Sequence, residues 1–213
     1  MLDLYFMEGS KQMVDTYNTL KFYNDNAEEF FEQTIKVDLE FNYKKFLKHV
    51  PKNAYILDFG CGFGRDSKVF IDKGYNVRAI DGSIKMCEIG TKYLNQNVDC
   101  IQFKDFDEEN VYDAIWACAS ILHVDEEDLP DILIRMIKAI KNNGIIYFSF
   151  KKGTGTEIID GRFFNYMTKE KFENILLNMK LNYDIMEYFE SVSSTKRPEK
   201  CNWVNFVIKF KKL

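Results

Sequence analysis

The sequence lacks any long hydrophobic run. No apolar stretch in its 213 residues approaches the roughly 18 to 20 residues that a helix needs to span a bilayer. Hydrophobic residues make up 46% and charged residues 29%, a balance typical of water-soluble globular proteins. The N-terminus carries Asp3 and Glu8 where a secretory signal would have a basic region. We therefore expect a cytoplasmic protein with no membrane partner.

Cysteine and histidine are scarce and scattered. The five cysteines, at positions 61, 87, 100, 118 and 201, form neither the paired spacing of a metal site nor a disulfide framework. We therefore expect reduced thiols and no bound metal. His49 and His123 are the two histidines of the sequence, and no catalytic triad can be assembled around them.

The sequence also lacks an excess of positive charge. Its formal net charge of −4 argues against a broad nucleic-acid surface, because phosphate binding favours a basic patch. We expect no nucleic-acid partner. A local pair such as Lys196-Arg197 still leaves room for one phosphate or carboxylate contact.

The most informative stretch present runs from Tyr55 to Gly64, where an apolar segment leads directly into glycines 60, 62 and 64. Glycine reaches positive φ at little cost and lets a ligand pack against the main chain. A helix that begins near Arg65 would add its positive N-terminal end. An ordinary glycine turn is the alternative, but three alternating glycines and the acid Asp58 exceed what a turn requires. The pattern predicts a strand that ends in a ligand-binding loop.

Strands and helices alternate along the rest of the chain. Besides the strand before Gly60, the sequence predicts strands over 76–80, 98–103, 112–119, 145–150, 183–189 and 203–210. Helices are predicted over 37–50, 66–73 and 129–140, after Ser83 and after Thr168, with further helices before residue 34 broken near 23–26. This order predicts an α/β fold with an open doubly wound sheet, in which ligands bind beyond the carboxyl ends of the strands.

Asp81 ends the second predicted strand, 21 residues after Gly60. A carboxylate at this place accepts hydrogen bonds from a ribose in nucleotide-binding sheets, so an adenosine-containing ligand is expected. An acid that only interacts with a helix N-terminus is the alternative. The dinucleotide fingerprint requires glycine three positions after Gly62, where this chain has Arg65. A pyrophosphate cofactor is therefore disfavoured.

Three stretches resemble the successive motifs of class I S-adenosylmethionine-dependent methyltransferases: ILDFGCGFGRD at 56–66, AIDGS at 79–83 and KDF at 104–106. The similarity extends over about residues 50–213. It implies a Rossmann-like, seven-stranded, mostly parallel sheet with an antiparallel last strand, and S-adenosyl-L-methionine as the cofactor. Residues 118–124, 160–164 and 197–198 are most similar to small bacterial tellurite-resistance-type or generic small-molecule methyltransferases. We assign residues 1–50 to an N-terminal helical cap and 51–213 to the methyltransferase catalytic domain.

The resemblance also implies which residues hold the cofactor. The backbone of residues 60–64 holds its methionine part, with Asp58 beneath, and Asp81 binds the ribose hydroxyls. Asp105 and the Phe106 main chain read the amino edge of the adenine, which Gly82 or Met86 borders. The complete expected set is Asp58, Gly60, Cys61, Gly62, Gly64, Asp81, Gly82, Met86, Asp105, Phe106 and Ala119.

The acceptor side carries weaker signals. Methyl transfer from a sulfonium needs mainly alignment, so no dedicated nucleophile is expected. His123, just after the fourth strand, is placed to act as a general base, or else only packs or orients the acceptor. Arg162 is a candidate clamp for an anionic acceptor and Arg197 a lesser one, with solvated loop charges as the alternative. Tyr23 and Trp203 are candidate walls of the acceptor site, with filling of the sheet edge as the alternative for Trp203.

Together these features predict an enzyme that transfers a methyl group from S-adenosylmethionine to an oxygen, nitrogen or sulfur atom of a small molecule. The N-terminal helices and the 151–167 loop are expected to act as lids, and the protein to be a monomer or homodimer. An RNA or protein methyltransferase is one alternative. A non-catalytic regulator that binds S-adenosylmethionine is another.

Overall fold

A computed structural model describes residues 16–192 and 201–212. Within these residues the chain forms nine strands, of which seven make the main sheet and two a separate hairpin. In chain order they are β1 Tyr55–Phe59, β2 Asn76–Asp81, β3 Val98–Cys100, β4 Tyr112–Cys118, β5 Ile140–Lys151, β6 Thr156–Ile159, β7 Arg162–Asn165, β8 Tyr183–Val192 and β9 Asn202–Phe210.

Seven helices surround the strands. The first, α1, covers residues 16–25 of the described chain. The others are α2 Ala27–Thr34, α3 Glu40–Leu47, α4 Arg65–Asp72, α5 Ile84–Leu94, α6 Leu129–Ala139 and α7 Lys169–Asn178, with single 3₁₀ turns at Phe103–Asp105 and Ile121–His123. No helix within residues 16–192 and 201–212 is long and apolar enough to cross a membrane.

The main sheet has the order β3-β2-β1-β4-β5-β9-β8. Strands β1 to β5 run parallel to one another, whereas β9 runs antiparallel to both β5 and β8. This confirms the α/β fold, the mostly parallel seven-stranded sheet and the antiparallel last strand. The carboxyl ends of β1, β2 and β4 lie side by side, since Asp58 pairs with Ala79 on one side and Trp116 on the other.

Both faces of the sheet are buried, which is why its central strands are almost continuously apolar. One face packs against α6 and α7 through Leu133, Met136 and Phe172, among others. The other face packs against α3 and α4, where Trp116 and Tyr147 stack with ring centroids 3.8 Å apart. The apolar spacing of α6 that predicted this helix is therefore the face that it buries.

Local signals in the sequence identified several helix ends correctly. The Ser83 side chain caps α5 by accepting a hydrogen bond from the Met86 N–H, and Thr168 caps α7 in the same way. Gly74 follows α4 with a φ of +86°. The break predicted near residues 23–26 falls at Asn26, between α1 and α2.

Three predicted elements were wrong in extent or type. The third strand ends at Cys100, and a 3₁₀ turn replaces its predicted end. Residues 142–144 do not follow α6 as a turn but lie within β5, where Asn143 has a φ of +63° beside an irregular register with β4. The 151–167 segment, predicted as a loop, contains the β6–β7 hairpin. Asp160 and Gly161 turn it with φ of +53° and +78°, a compact Asp-Gly hairpin signal that the sequence analysis had not used.

Candidate active site

The glycine loop connects β1 to α4 at the carboxyl edge of the sheet. The Gly60 and Cys61 N–H groups both donate to the Ile80 carbonyl at 2.9 Å, which ties the loop to the end of β2. Gly60 has a φ of +78°, and a Cβ there would lie 2.5 Å from the Ser120 Cβ. Gly62 has a φ of +57°, but a Cβ there would meet nothing within 4 Å. Close packing thus requires glycine at 60, while the main chain at Gly62 faces open space.

Asp81, at the end of β2, holds the middle of this loop. One carboxylate oxygen accepts from the Gly62 N–H at 2.8 Å and the other from the Ser83 N–H at 2.8 Å. Burial raises the pKa of Asp81, while these backbone donors favour the charged form. The acid therefore joins the glycine loop of β1 to the helix cap that follows β2.

Two further carboxyl groups lie beneath the loop, and their pKa values are shifted in opposite directions. Burial, followed by the nearby charge of Asp66, raises the pKa of Asp58 to about 8, although the Ser67 hydroxyl donates to it at 2.6 Å. Burial also opposes ionisation of Asp66, but Arg65, with its Nε 2.6 Å away, and the Tyr43 and Trp116 donors lower its pKa. One neutral acid and one paired anion thus support the loop near neutral pH.

A cavity of about 440 Å³ opens above these groups. Its volume lies within the range of ligand sites, roughly 300 to 1,000 Å³. Nine of the expected site residues line it: Asp58, Gly60, Cys61, Gly62, Asp81, Gly82, Met86, Ala119 and His123. Four rim or wall residues that the sequence analysis did not single out also line it: Ser120, Asp125, Asp128 and Asp131.

His123 lies in the 3₁₀ turn after β4 and contacts the N-terminal helix. Its Nδ1 lies 2.6 Å from the Phe163 carbonyl oxygen, and its Nε2 lies 2.9 Å from the Tyr23 hydroxyl. A carbonyl oxygen only accepts, so Nδ1 carries the hydrogen. Burial, opposed by the hydrogen bond to Phe163 and reinforced by the positive charges of Arg162 and Lys151, lowers the pKa of His123 to about 4.

Helix α1 covers the cavity and contacts both of its sides. On one side the Asn24 amide oxygen accepts from the Ser83 hydroxyl at 2.8 Å and from the Lys85 N–H at 3.1 Å. On the other side Tyr23 meets His123, and the Thr19 hydroxyl accepts from the Phe163 N–H at 3.0 Å. The helix therefore lies across the opening between the β2 and β4 ends.

Comparison with known proteins identifies this arrangement. A family model described as a methyltransferase domain matches residues 56–144, the segment that contains the glycine loop, Asp81 and His123. Over this segment the chain resembles methyltransferases, and its sheet has the Rossmann-like fold expected of S-adenosylmethionine-dependent members.

The individual relatives of the chain differ in what their names say they do. A ubiquinone biosynthesis O-methyltransferase of Rickettsia typhi is 30% identical over 44% of this chain and 39% of its own length. An N-terminal Xaa-Pro-Lys N-methyltransferase 1 of Xenopus tropicalis is 30% identical over 55% of this chain and 59% of its own length. The chain spans less than two thirds of the length of the curated relatives that it matches.

The fold of the chain is shared with solved structures at low sequence identity. The 1,6-didemethyltoxoflavin-N1-methyltransferase of Burkholderia thailandensis, solved with S-adenosylhomocysteine, superimposes with a TM-score of 0.71. The alignment covers 97% of this chain and 90% of that one, at 15% identity.

Four predicted site residues lie outside the set that lines the cavity. Gly64 precedes α4 and packs against Leu94. Asp105 is exposed in the 3₁₀ turn after β3, and Phe106 is buried with its ring 5.2 Å from that of Phe59. The adenine-edge role of Asp105 and Phe106 stays a prediction.

The fourth, Arg162, is neither in a loop nor solvated. It begins β7 and is 4% exposed, with its guanidinium 4.1 Å from the Phe22 ring centre and 3.2 Å from Asp160. Arg162 therefore packs against α1 through Phe22, and a clamp on the acceptor would require it to leave these contacts. Trp203 pairs with Lys151 across β5 and β9 and does not line the cavity. Arg197 lies outside the described residues.

The residues that the sequence analysis missed differ in how detectable they were. Ser120 falls within the segment after β4 that was expected to face the cleft, and Ala119 before it has a φ of +51° that turns the chain sharply. The carboxylates of Asp125, Asp128 and Asp131 follow shortly afterwards, but an acidic stretch before a helix is also what the helix dipole favours. Sequence alone could not distinguish a cavity rim from a helix start.

Proposed function

We propose that this protein transfers a methyl group from S-adenosylmethionine to a small-molecule acceptor. The observation that carries the proposal is the contact between Asp81 and the Gly62 N–H at 2.8 Å, beside main chain that no side chain of the described residues covers. In a sheet of this kind, such a junction of two strand ends is where a nucleoside with a short polar tail would fit.

The residues present fit this cofactor. Asp81 would accept from the ribose hydroxyls, and the uncovered main chain near Gly62 would approach the methionine part. Met86, on the first turn of α5, lines the same cavity and offers an apolar surface for the adenine. The Ser120 hydroxyl is buried without a hydrogen-bond partner among the described residues, so it is a polar group available to a ligand.

The cofactor, when bound, supplies an electrophilic methyl group on a positively charged sulfur. The chain contributes a site of net negative charge, which is complementary to this sulfur. Six carboxyl groups line the cavity, of which Asp58 is neutral near pH 7. The lining cations are Arg65 and Lys104, and Arg65 is paired with Asp66. The walls hold the two reactants in line and α1 limits access of water, which is the main requirement of this displacement. Asp58 and Asp66 support the loop that would align the donor.

A small-molecule acceptor is favoured by the position of α1 over the cavity, which leaves less room than a folded RNA or protein needs. We also propose that the protein acts in the cytoplasm and without nucleic acid, in line with its net charge of −4. A substrate that is a protein N-terminus, as the name of the Xenopus relative says of that enzyme, is the second candidate.

Calorimetry with S-adenosylmethionine tests the cofactor. We expect Asp81→Ala to weaken binding at least about tenfold, or about 1.4 kcal/mol, because the ribose hydroxyls would lose the carboxylate that accepts their hydrogen bonds. Asp72→Ala, which removes an exposed acid at the end of α4, is the matched control and should bind as the wild type does. Unchanged affinity in Asp81→Ala, or no binding by the wild type, would refute the assignment.

Methyl transfer is tested with radiolabelled cofactor and a bacterial extract separated by size. Label in the small-molecule fraction is expected. Label confined to RNA would support the nucleic-acid alternative. Tight cofactor binding with no label in any fraction would instead identify a regulator.

A further inference from the structure

We infer that the methyl acceptor is a primary or secondary amine, held by the Tyr23 oxygen and the carboxylates at the rim of the cavity. This inference rests on the proposed methyl transfer and specifies its acceptor. It follows from which hydrogen-bonding groups the described walls can offer.

The first step concerns the hydrogen on Tyr23. The Nδ1–H of His123 is committed to the Phe163 carbonyl at 2.6 Å, so Nε2 of the neutral ring is an acceptor. The Tyr23 hydroxyl, 2.9 Å away, must then donate to it. Tyr23 and His123 both line the cavity. Toward a ligand, the Tyr23 oxygen can therefore act only as a hydrogen-bond acceptor.

The second step concerns the rest of this wall. Asp125, Asp128 and Asp131 line the cavity on the side of His123. Asp131 forms a salt bridge with Arg135, whose Nε lies 2.8 Å away. All three carboxylates can accept hydrogen bonds and none can donate while ionised. A ligand on this side thus meets hydrogen-bond acceptors and negative charge.

The nearby cations do not change this balance. The charges of Lys151 and Arg162 act on His123, but both side chains pack on aromatic rings. Lys151 lies 3.6 Å from the Phe164 ring centre and Arg162 4.1 Å from that of Phe22. Neither lines the cavity. Lys171 pairs with Glu126 at 2.7 Å, away from the cavity lining. On the side of His123, a carboxylate or phosphate acceptor would therefore meet no cation among the described lining residues, since the lining cation Lys104 lies in the 3₁₀ turn after β3.

The Ser120 hydroxyl is a separate sign that a ligand completes this site. Ser120 is 4% exposed, lines the cavity between the Gly60 loop and His123, and has no hydrogen-bond partner among the described residues. Burying an unpaired hydroxyl costs about 1 to 3 kcal/mol, which a ligand atom beside it would relieve. Its position next to Gly60 lies where the donor and acceptor sides of the cavity meet.

An amine also suits the proton balance. An ammonium attracted to the rim first loses one proton to solvent through the carboxylates, which frees the nitrogen lone pair. That pair forms the N–C bond as the S–C bond breaks and its electrons pass to sulfur. The product is a methylated ammonium, so no base must act during the transfer. An alcohol would need such a base, and the lone pair of His123 Nε2 is already engaged by Tyr23.

Three probes of similar shape test the chemistry: benzylamine, benzyl alcohol and benzoate, titrated into protein saturated with S-adenosylhomocysteine. We expect benzylamine to bind at least about tenfold more tightly than the other two. Equal or tighter binding of the alcohol or benzoate, or no binding of benzylamine, would overturn the inference.

The labelled extract gives an independent readout. The methylated product should be retained by a cation exchanger at pH 7. A neutral or anionic labelled product would overturn the amine assignment alone. Failure of S-adenosylmethionine to bind, measured by calorimetry on the same sample, would instead refute the proposed function itself.

Variants of the Tyr23 pair separate contact from positioning. Tyr23→Phe keeps the ring but removes the oxygen, so benzylamine affinity should fall about tenfold while S-adenosylmethionine affinity stays within about twofold. Tyr17→Phe, at an exposed position on the same helix, is the matched control. Unchanged benzylamine binding in Tyr23→Phe would contradict the contact.

His123 is the positioning residue, and two replacements distinguish its two hydrogen bonds. The His123→Gln amide oxygen can replace Nε2 as the acceptor for Tyr23, whereas His123→Asn can replace only the donor to Phe163. We expect Gln to retain the preference for benzylamine over benzyl alcohol, and Asn to lose it. Equal preference in both variants would show that the Tyr23 hydrogen is not what selects the ligand.

Discussion

The glycine loop makes a quantitative prediction about Gly60→Ala. Two costs add at this position. An L residue at a φ of +78° costs about 1 to 2 kcal/mol, because its Cβ approaches the following carbonyl. The new methyl group would also lie 2.5 Å from the Ser120 Cβ and 3.0 Å from the Phe103 ring, well inside the usual carbon separation of about 3.5 to 4.0 Å. Overpacking of this kind costs about 1 to 3 kcal/mol.

Together the two costs predict a loss of about 2 to 5 kcal/mol in the free energy of unfolding. For a chain of this size the melting temperature should fall by about 5 to 15 °C. Gly62→Ala is the matched control, since its φ is +57° but no atom lies within 4 Å of its Cβ. It should lose only about 1 kcal/mol, because the strain is partly offset by a less flexible unfolded chain. Urea denaturation followed by circular dichroism measures both variants.

A double-mutant cycle isolates the contact itself. Ser120→Gly removes the carbon that the new methyl group would meet, so Gly60→Ala should cost at least about 1 kcal/mol less in its presence. Equal losses in Gly60→Ala and Gly62→Ala, or strictly additive effects in the cycle, would refute the claim that close packing against Ser120 requires glycine at 60.

Two further predictions concern the acids beneath the loop. Asp66→Asn should destabilise the protein by about 2 to 4 kcal/mol in urea denaturation, because Arg65, 21% exposed, loses the partner of a largely buried pair; a loss below about 1 kcal/mol would contradict this. For Asp58, the folded state holds the proton up to about pH 8, whereas the unfolded chain releases it near 3.8. Wild-type stability is therefore lost as the pH rises between these values. Asp58→Asn, whose carbonyl can still accept from Ser67, should gain stability relative to the wild type between pH 4 and 8, and a difference independent of pH would disprove the shift.

The sequence predicted the donor side of the site better than the acceptor side, for a physical reason. Asp81 and the Gly60 loop are fixed by short-range geometry, in which a strand end, a φ value and a helix cap are each written within a few residues. Eight of the predicted cofactor-binding residues therefore line one cavity. The fold followed in the same way from the alternation of strands and helices.

The acceptor side depends on contacts between distant parts of the chain. Tyr23 and His123 are 100 residues apart, and Phe163 lies 40 residues beyond His123. No local pattern shows that the histidine accepts the hydrogen of the tyrosine. The burial of Arg162 could not be predicted for the same reason, because its guanidinium packs on the Phe22 ring of α1.

The position of α1 has a consequence for the order of events on the protein. Asn24 contacts the start of α5 beside the expected donor site, and Tyr23, the residue before it, contacts His123 on the acceptor side. A donor that steadies one end of this short segment also fixes the residue that meets the acceptor. The two ligands would then bind with positive cooperativity, and by reciprocity a bound acceptor would slow departure of the spent donor. Movement of the same helix would then affect the exchange of both ligands.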